Sequence, residues 1–232
     1  SAKSPDEMTK KQDPFDQKLA KAVADLPPQY DHTPTIVMEA ALFLLKQGLL
    51  NIPDVGIVNV KQARAFLWNA AWLQEHMNTC WQNDGSFLCD SAVERRFKDF
   101  ALGIIGPGGT GKTAVLKLVE SLVLYFAGPE TVKKLAPSNA AARLLGGDTL
   151  HALCKLPFGN VALIQKRGQL TKAALQDLRA QWRNTLATFF DEISMISADQ
   201  FHKCDIRLRQ AMNNFISNFG GLAVNICGDF LQ

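Results

Sequence analysis

Hydrophobic and polar positions follow two different periods along this chain, and the change of period separates helices from strands. Apolar residues recur every three or four positions across 60–77, which predicts one amphipathic helix with a single buried face. Short continuous apolar runs elsewhere predict buried strands. Helices are predicted at 35–47, 60–77, 114–126, 140–145, 173–184 and 199–215, and a short one beginning near Leu150. Strands are predicted at 100–105, 131–136, 185–190 and 222–227.

The predicted elements divide the chain into three parts. Residues 1–31 are rich in Lys, Asp, Gln and Pro with few apolar anchors, which indicates a flexible arm. Residues 32–98 form a helical N-terminal segment. From residue 99 to 232 strands alternate with helices, an order typical of an α/β domain with a mostly parallel sheet flanked by helices.

The predicted strand at 100–105 leads into a glycine-rich loop and then a helix. Gly106, Gly111, Lys112 and Thr113 occupy the spacing of a phosphate-binding P-loop. Its glycines let backbone N–H groups turn towards phosphate oxygens, and the following helix presents the positive end of its dipole. Lys112 can reach the β and γ phosphates, while the Thr113 hydroxyl can ligate Mg²⁺. The sequence therefore predicts a site for a nucleoside triphosphate with Mg²⁺.

Two further polar clusters directly follow predicted strands. Asp191 and Glu192 come after the apolar run at 185–190, and a third cluster at 229–232 follows the last strand. Ligands of parallel sheets lie beyond the carboxyl ends of the strands, so we expect these clusters beside the P-loop. Asp191 suits a holder of Mg²⁺ and Glu192 a general base on the attacking water. Gln232 could hydrogen-bond the γ-phosphate or that water.

Net charge, cysteine content and apolar stretches say less about the function of the protein than these clusters do. The formal charge of +3 is too small to argue for nucleic acid by itself. Five cysteines, an odd number with no C-x-x-C pair, favour reduced thiols and an intracellular location. The longest apolar stretch, at 36–45, contains Glu39 and is too short to span a bilayer, so no membrane partner is expected. The chain starts with Ser and stops abruptly at Gln232, so we expect a piece of a longer polypeptide.

Six stretches follow one another in a recognisable order. The first is Gln62 with Ala65-Phe66. The next are Gly106-Pro107-Gly108-Gly109-Thr110-Gly111-Lys112-Thr113 (motif I), Leu135-Ala136-Pro137-Ser138-Asn139-Ala140-Ala141-Ala142 (motif Ia) and Gly147-Asp148-Thr149-Leu150-His151. The last are Asp191-Glu192-Ile193-Ser194-Met195 (motif II) and Gly228-Asp229-Phe230-Leu231-Gln232 (motif III). Together they resemble the Pif-type (petite integration frequency) DNA helicases of superfamily 1, which include the helicase part of Helitron transposons.

The resemblance implies a fold, an activity and a set of ligands. It implies that 99–232 is a RecA-like P-loop NTPase domain of an ATP-dependent DNA helicase moving five-prime to three-prime. ATP and Mg²⁺ are the implied cofactors, with motif I and Gln62, similar to the family's adenine-reading Q motif, as nucleotide-binding residues. Single-stranded DNA and forked or tailed DNA are the implied partners, and protein partners stay open. The implied roles are DNA repair, recombination or telomere maintenance, in the nucleus of a eukaryote or alternatively its mitochondrion.

The resemblance also implies which residues touch DNA. Ser138, Asn139 and Thr149 offer small hydrogen-bond donors to phosphate oxygens, and His151 can hydrogen-bond or stack. This chain has Ser138-Asn139 where motif Ia more often reads Thr-Gly. Helicases of this superfamily close a second RecA-like domain, with an arginine finger, over the nucleotide. Since neither follows Gln232 in this sequence, we expect weak ATP binding, slow hydrolysis and no duplex unwinding.

Other functions share parts of this pattern. A RecD-type motor of a nuclease complex would have the same ATPase chemistry, and co-purifying partners would distinguish it. A Helitron transposition helicase would keep every motif named above. A non-catalytic nucleic-acid-binding module is disfavoured by the presence of Lys112, Thr113, Asp191 and Glu192 together.

Overall fold

A computed structural model of the chain describes residues 17, 21, 23–25, 37–45, 59–80, 99–157 and 170–230. In these ranges the helices are α1 (Val37–Leu44), α2 (Val60–Cys80), α3 (Lys112–Ala127), α4 (Asn139–Leu145), α5 (Leu150–Leu153), α6 (Lys172–Trp182) and α7 (Ala198–Met212). The strands are β1 (Ala101–Ile105), β2 (Val132–Ala136), β3 (Asp148–Thr149), β4 (Ala187–Phe190) and β5 (Ala223–Gly228). Short 3-10 helices follow β4 at Ile193–Met195 and precede β5 at Asn218–Gly221.

The strands form one parallel sheet in the order β1-β5-β4-β2-β3. All four residues of β4 are buried, as expected of a central strand whose two faces are covered by helices. Strand β1 lies at an edge among the described strands, and its side chains alternate between exposed and half-buried. Because the strands are parallel, the segments that follow them emerge at the same edge of the sheet.

Successive residues of β4 point to opposite faces and enter two hydrophobic cores. Phe189 packs into a core built from α1, α2 and α3, whereas Phe190 packs into a core built from α5, α6 and α7. In the second core the Trp182 indole N–H donates to the Leu153 carbonyl at 3.0 Å. Helices therefore cover both faces of the sheet, which confirms the predicted α/β architecture.

Helix α2 belongs to the same core as the sheet. Its buried residues Phe66, Ala70, Leu73 and Met77 recur on the face that the sequence predicted. The buried amides of Asn69 and Asn225 also exchange two hydrogen bonds, with N–O distances of 3.0 and 2.8 Å. These contacts anchor the middle of α2 to the sheet at β5.

Most predicted elements are present, with shifts at their ends. The helix predicted at 199–215 ends at Met212, because Asn213 adopts a left-handed conformation with φ 51° and caps it. Asp148 and Thr149 form a two-residue strand that pairs with β2, which the sequence did not predict. Thr149 also caps α5, which begins at Leu150 as predicted.

Several predictions lie outside the described residues. They include the arm at 1–31 apart from five scattered positions, most of the loop at 51–59 and most of the basic loop at 158–171. The connection predicted at 79–96 is described only at Thr79 and Cys80, which continue α2. Within the described ranges, no helix combines the length and the apolar character needed to cross a bilayer.

Candidate active site

The segments that follow β1 and β4 meet around one pocket of about 340 Å³. Most of the predicted phosphate loop lines it together with the predicted acid pair. The lining residues are Gly108, Gly109, Thr110, Gly111, Lys112, Thr113, Ala114, Lys117, Asp191 and Glu192. Sequence reasoning missed Lys117, although it is one of only two charged residues in the helix predicted at 114–126 and lies one turn after Thr113.

The loop between β1 and α3 is shaped by glycines and by its own lysine. Gly109 and Gly111 have φ angles of 73° and 78°, a region that residues with a Cβ rarely adopt. The Lys112 ammonium donates to the carbonyl oxygens of Gly106 and Pro107 at 2.7 and 2.8 Å. The Thr110 hydroxyl donates to the Pro107 carbonyl at 2.8 Å. The loop thus curves around the lysine head group.

Helix α3 begins directly at this loop and points its amino end into the pocket. Its N-cap is Gly111, which has no side chain to satisfy the first N–H groups of the helix. These N–H groups and the helix dipole together favour an anion at this position. Lys112 and Lys117 add positive charge to the same pocket. The pocket is therefore built for phosphate groups.

Asp191 and Glu192 are fixed at the end of β4 by their backbone. The Asp191 N–H donates to the Leu135 carbonyl of β2 at 2.9 Å, and the Asp191 carboxylate accepts from the Glu192 N–H at 3.0 Å. Glu192 has a φ of 50°, which is uncommon for a residue with a long side chain. Such a backbone is retained where surrounding contacts over-determine it, often at functional sites. Both side chains are half-buried and line the phosphate pocket.

The end of β5 joins the loop and the acid pair. The Gly106 N–H donates to the Gly228 carbonyl at 3.2 Å, and the Gly108 N–H donates to the Asp229 carboxylate at 3.2 Å. Burial, with a smaller contribution from the Asp191 carboxylate, raises the pKa of the Cys227 thiol to about 12. Gln232, the residue predicted to sense the γ-phosphate, lies outside the described residues.

Gln62 contacts the phosphate loop from α2. Its side-chain N–H donates to the Thr110 carbonyl at 2.7 Å, and its side-chain oxygen accepts from the Asn59 N–H at 2.7 Å. A second pocket of about 530 Å³ begins here and runs between α2 and β1. Thr110 and Lys112 line both pockets, so the second pocket continues from the first. Asn59 and Trp68 also line this second pocket. The sequence did not predict them as site residues, because neither belongs to a recognisable motif.

The residues predicted to touch DNA follow the neighbouring strands β2 and β3. The Ser138 hydroxyl accepts from the Ala141 N–H and the Thr149 hydroxyl from the Ala152 N–H, both at 3.2 Å, so each caps a helix. Each hydroxyl keeps its own hydrogen as a donor. Asn139 is exposed, and His151 is half-buried beside a pocket of about 460 Å³ that Lys203 also lines. These residues lie at the same edge of the sheet as the phosphate loop.

Comparison with known families agrees with this geometry. The family model described as PIF1-like helicase matches residues 88–232, which is more than half of the chain. The chain belongs to the PIF1-like helicase family. The matched segment contains the phosphate loop, the acid pair and the predicted DNA contacts, whereas Gln62 lies before it.

Two curated relatives show how much of a PIF1-like helicase this chain contains. It is 36% identical over 127 residues to the ATP-dependent DNA helicase PIF1 of Homo sapiens, which covers 55% of this chain and 19% of the relative. It is 33% identical over 129 residues to the ATP-dependent DNA helicase RRM3 of Saccharomyces cerevisiae, which covers 55% of this chain and 17% of the relative. The chain thus matches about a fifth of the length of these relatives.

Solved structures of PIF1-like helicases are also similar to this chain. The Bacteroides Pif1 helicase in complex with ADP-AlF3 and ssDNA has 25% identity and a TM-score of 0.47, covering 76% of this chain and 33% of its own. The Pif1 helicase of Candida albicans has 30% identity and a TM-score of 0.46, covering 57% and 30% of the respective chains.

Proposed function

We propose that this chain is the RecA-like ATP-hydrolysing domain of a DNA helicase. The observation that carries the proposal is the single pocket of about 340 Å³ lined by the phosphate loop and by Asp191 and Glu192, in a chain of the PIF1-like helicase family. A phosphate loop alone holds a nucleotide. A carboxylate pair at the same pocket adds the groups that hydrolysis requires.

The residues of the pocket fit ATP and Mg²⁺ by their chemistry. Backbone N–H groups at Gly109, Gly111 and the start of α3 would hold the phosphates, with the Lys112 ammonium turning from the loop carbonyls to the β and γ oxygens. The Thr113 hydroxyl and the Asp191 carboxylate are hard oxygen ligands of the kind that Mg²⁺ prefers. When bound, Mg²⁺ would supply positive charge that neutralises the negative charge of the phosphates.

Glu192 and Gln232 are proposed to act on the attacking water. The Glu192 carboxylate would accept a proton from the water, and its half-buried position beside Asp191 keeps it at the pocket wall. Gln232, four residues after Gly228, would hydrogen-bond the γ-phosphate or the water. The left-handed backbone of Glu192 supports this role, because such a conformation is often retained at functional sites.

The base of ATP is proposed to bind in the pocket of about 530 Å³ beside Gln62. The Gln62 amide still has one N–H and one oxygen lone pair for a base edge after its contacts with Thr110 and Asn59. Because Thr110 and Lys112 line both pockets, one molecule can extend from the phosphate site into this groove.

We propose that single-stranded DNA crosses the same edge of the sheet near Ser138, Asn139, Thr149 and His151. The Asp191 N–H bonds the Leu135 carbonyl of β2, so a shift of the acid pair would reach the segment before Ser138 through one hydrogen bond. That link supports coupling of hydrolysis to movement along DNA, which we propose runs five-prime to three-prime. Forked or tailed DNA, and a role in DNA repair, recombination or telomere maintenance in the nucleus or mitochondrion, belong to the same proposal.

The catalytic assignment is tested by ATP hydrolysis with two variants and matched controls. We expect Lys112→Ala and Glu192→Gln each to lower turnover by about a hundredfold or more, because each removes a group acting on the transferred phosphate or the water. Glu192→Gln should leave the affinity for ATP within about threefold of wild type. Lys172→Ala and Glu130→Gln, on the exposed surface, should hydrolyse ATP normally. Unchanged turnover in both pocket variants would remove the assignment.

A further inference from the structure

Asp229 belongs to the predicted cluster at 229–232 and contacts the phosphate loop, although no role was predicted for its own side chain. It follows β5, and its carboxylate accepts from the Gly108 N–H at 3.2 Å across 121 residues of sequence. The side chain is buried, with 5% of the residue exposed. Gly108 itself lines the phosphate pocket. A buried carboxylate thus holds a backbone N–H of the loop that is built to receive phosphate.

The strand end that carries Asp229 is itself held tightly. Gly228 packs so closely on the 3-10 helix after β4 that a Cβ there would lie 2.6 Å from the Ile193 Cγ2 and 3.1 Å from the Ile193 nitrogen. Its carbonyl also accepts from the Gly106 N–H at 3.2 Å. Asp229 therefore extends from a rigid support, shared with the segment that carries the acid pair, to the middle of the loop.

The loop needs such a support, because its own sequence leaves it free to move. Gly108, Gly109 and Gly111 occupy three of its four positions between Pro107 and Lys112, and glycine has the largest conformational freedom to lose. A loop that is already curved loses less entropy when a ligand binds than one that must be ordered by the ligand. The charge-assisted bond to Gly108 fixes the part of the loop that the Lys112 head group does not reach.

We propose that Asp229 is a positioning residue for nucleotide binding, which holds the first half of the phosphate loop in its phosphate-accepting curve. The inference rests on the proposed function, since it concerns the same ATP site. The carboxylate touches the loop and not the reacting atoms. It raises affinity by preorganising Gly108, and it ties the loop to the strand end that also supports the acid pair.

The test measures the dissociation constant of a fluorescent ATP analogue with Mg²⁺ for the 232-residue wild-type chain and for four variants, which are Asp229→Ala, Asp229→Asn, Asp177→Ala and Lys112→Ala. Asp229→Ala should bind about tenfold more weakly than wild type, a loss of about 1.4 kcal/mol. Asp229→Asn, which keeps a side-chain oxygen acceptor of the same size, should bind within about threefold of wild type. Asp177→Ala, on an exposed face of α6, is the matched control and should bind normally.

Three outcomes would overturn the inference. Equal affinity of Asp229→Ala and wild type would mean that the contact has no role in binding. Tighter binding by Asp229→Ala would mean that the carboxylate competes with phosphate for Gly108. If wild type bound no better than Lys112→Ala, the proposed nucleotide site itself would be wrong, and the inference with it. The melting temperature of each variant shows whether it is folded, so a loss of affinity that comes from unfolding is recognised. Asp229→Asn then tests the acceptor itself, because it should restore affinity in a folded protein.

Discussion

The buried amide pair between α2 and β5 offers the sharpest test of how the structure is held together. Asn69 and Asn225 exchange two hydrogen bonds, and the Asn69 amide also donates to the Ala65 carbonyl at 3.0 Å. Both residues are almost fully buried, with 2% and 0% exposed. Asn69→Ala would leave one side-chain N–H and the side-chain oxygen of Asn225 without this partner in the core.

An unsatisfied buried donor or acceptor costs about 1–3 kcal/mol. Two such groups, partly relieved by relaxation, predict a loss of about 3 kcal/mol in the free energy of unfolding for Asn69→Ala. For a chain of this size that corresponds to a fall of about 6–12 °C in melting temperature. Urea unfolding measures the free energy directly, and Asn184→Ala on the exposed surface should change it by less than about 0.5 kcal/mol.

The double variant Asn69→Ala/Asn225→Ala distinguishes a specific pair from two independent losses. Because each single change already breaks both shared bonds, the double change should cost less than the sum of the singles by about 1–3 kcal/mol. Additive losses, or a loss below about 1 kcal/mol for Asn69→Ala, would refute the reasoning that the amide pair anchors α2 to the sheet.

Three further predictions concern the site. Gln62→Ala should weaken ATP binding about three- to tenfold in a calorimetric titration, because it loses the neutral hydrogen bond to Thr110. Unchanged affinity would contradict a role of this hydrogen bond in nucleotide binding. Gly228→Ala should lower ATP turnover about tenfold or more and destabilise the fold, since its Cβ would collide with Ile193. Turnover equal to that of wild type would show that the end of β5 can shift to accommodate the Cβ. With its pKa raised to about 12, the Cys227 thiol stays neutral at pH 8.5 in the folded protein. It should therefore react with iodoacetamide about a hundredfold more slowly than the same thiol in the chain unfolded in urea, and equal rates would contradict this.

The fold was largely predictable because its elements carry strong local signals. The apolar spacing at 60–77 predicted a helix and its buried face, and the continuous apolar run at 185–190 predicted a buried strand. Where signals were weak, the predicted ends shifted. Asn213 ends α7 through a left-handed backbone, for which an Asn gives a weaker signal than a Gly does. The pairing of Asp148 and Thr149 with β2 is too short to produce a period in the sequence.

The candidate site was predictable in its motif residues and not in the contacts between them. The spacing of Lys112 and Thr113 and the position of Asp191 after an apolar run were visible in the sequence. The bond from Gly108 to Asp229 was not visible, because it joins residues 121 positions apart. The pairing of Asn69 with Asn225 spans 156 positions and is equally absent from any local pattern. The first bond depends on how parallel strands bring the segments that follow them to one edge, and the second on how α2 packs against β5 in the sheet.

We propose that one pocket hydrolyses ATP and responds to DNA bound at the same edge of the sheet. The most direct measurement is the ATP hydrolysis rate of the chain with and without single-stranded DNA, beside a variant that changes Ser138, Asn139 and Thr149 to Ala. We expect DNA to raise the rate of the wild-type chain, and the triple variant to keep its basal rate but lose the stimulation. A wild-type rate that is the same with and without DNA would contradict this proposal.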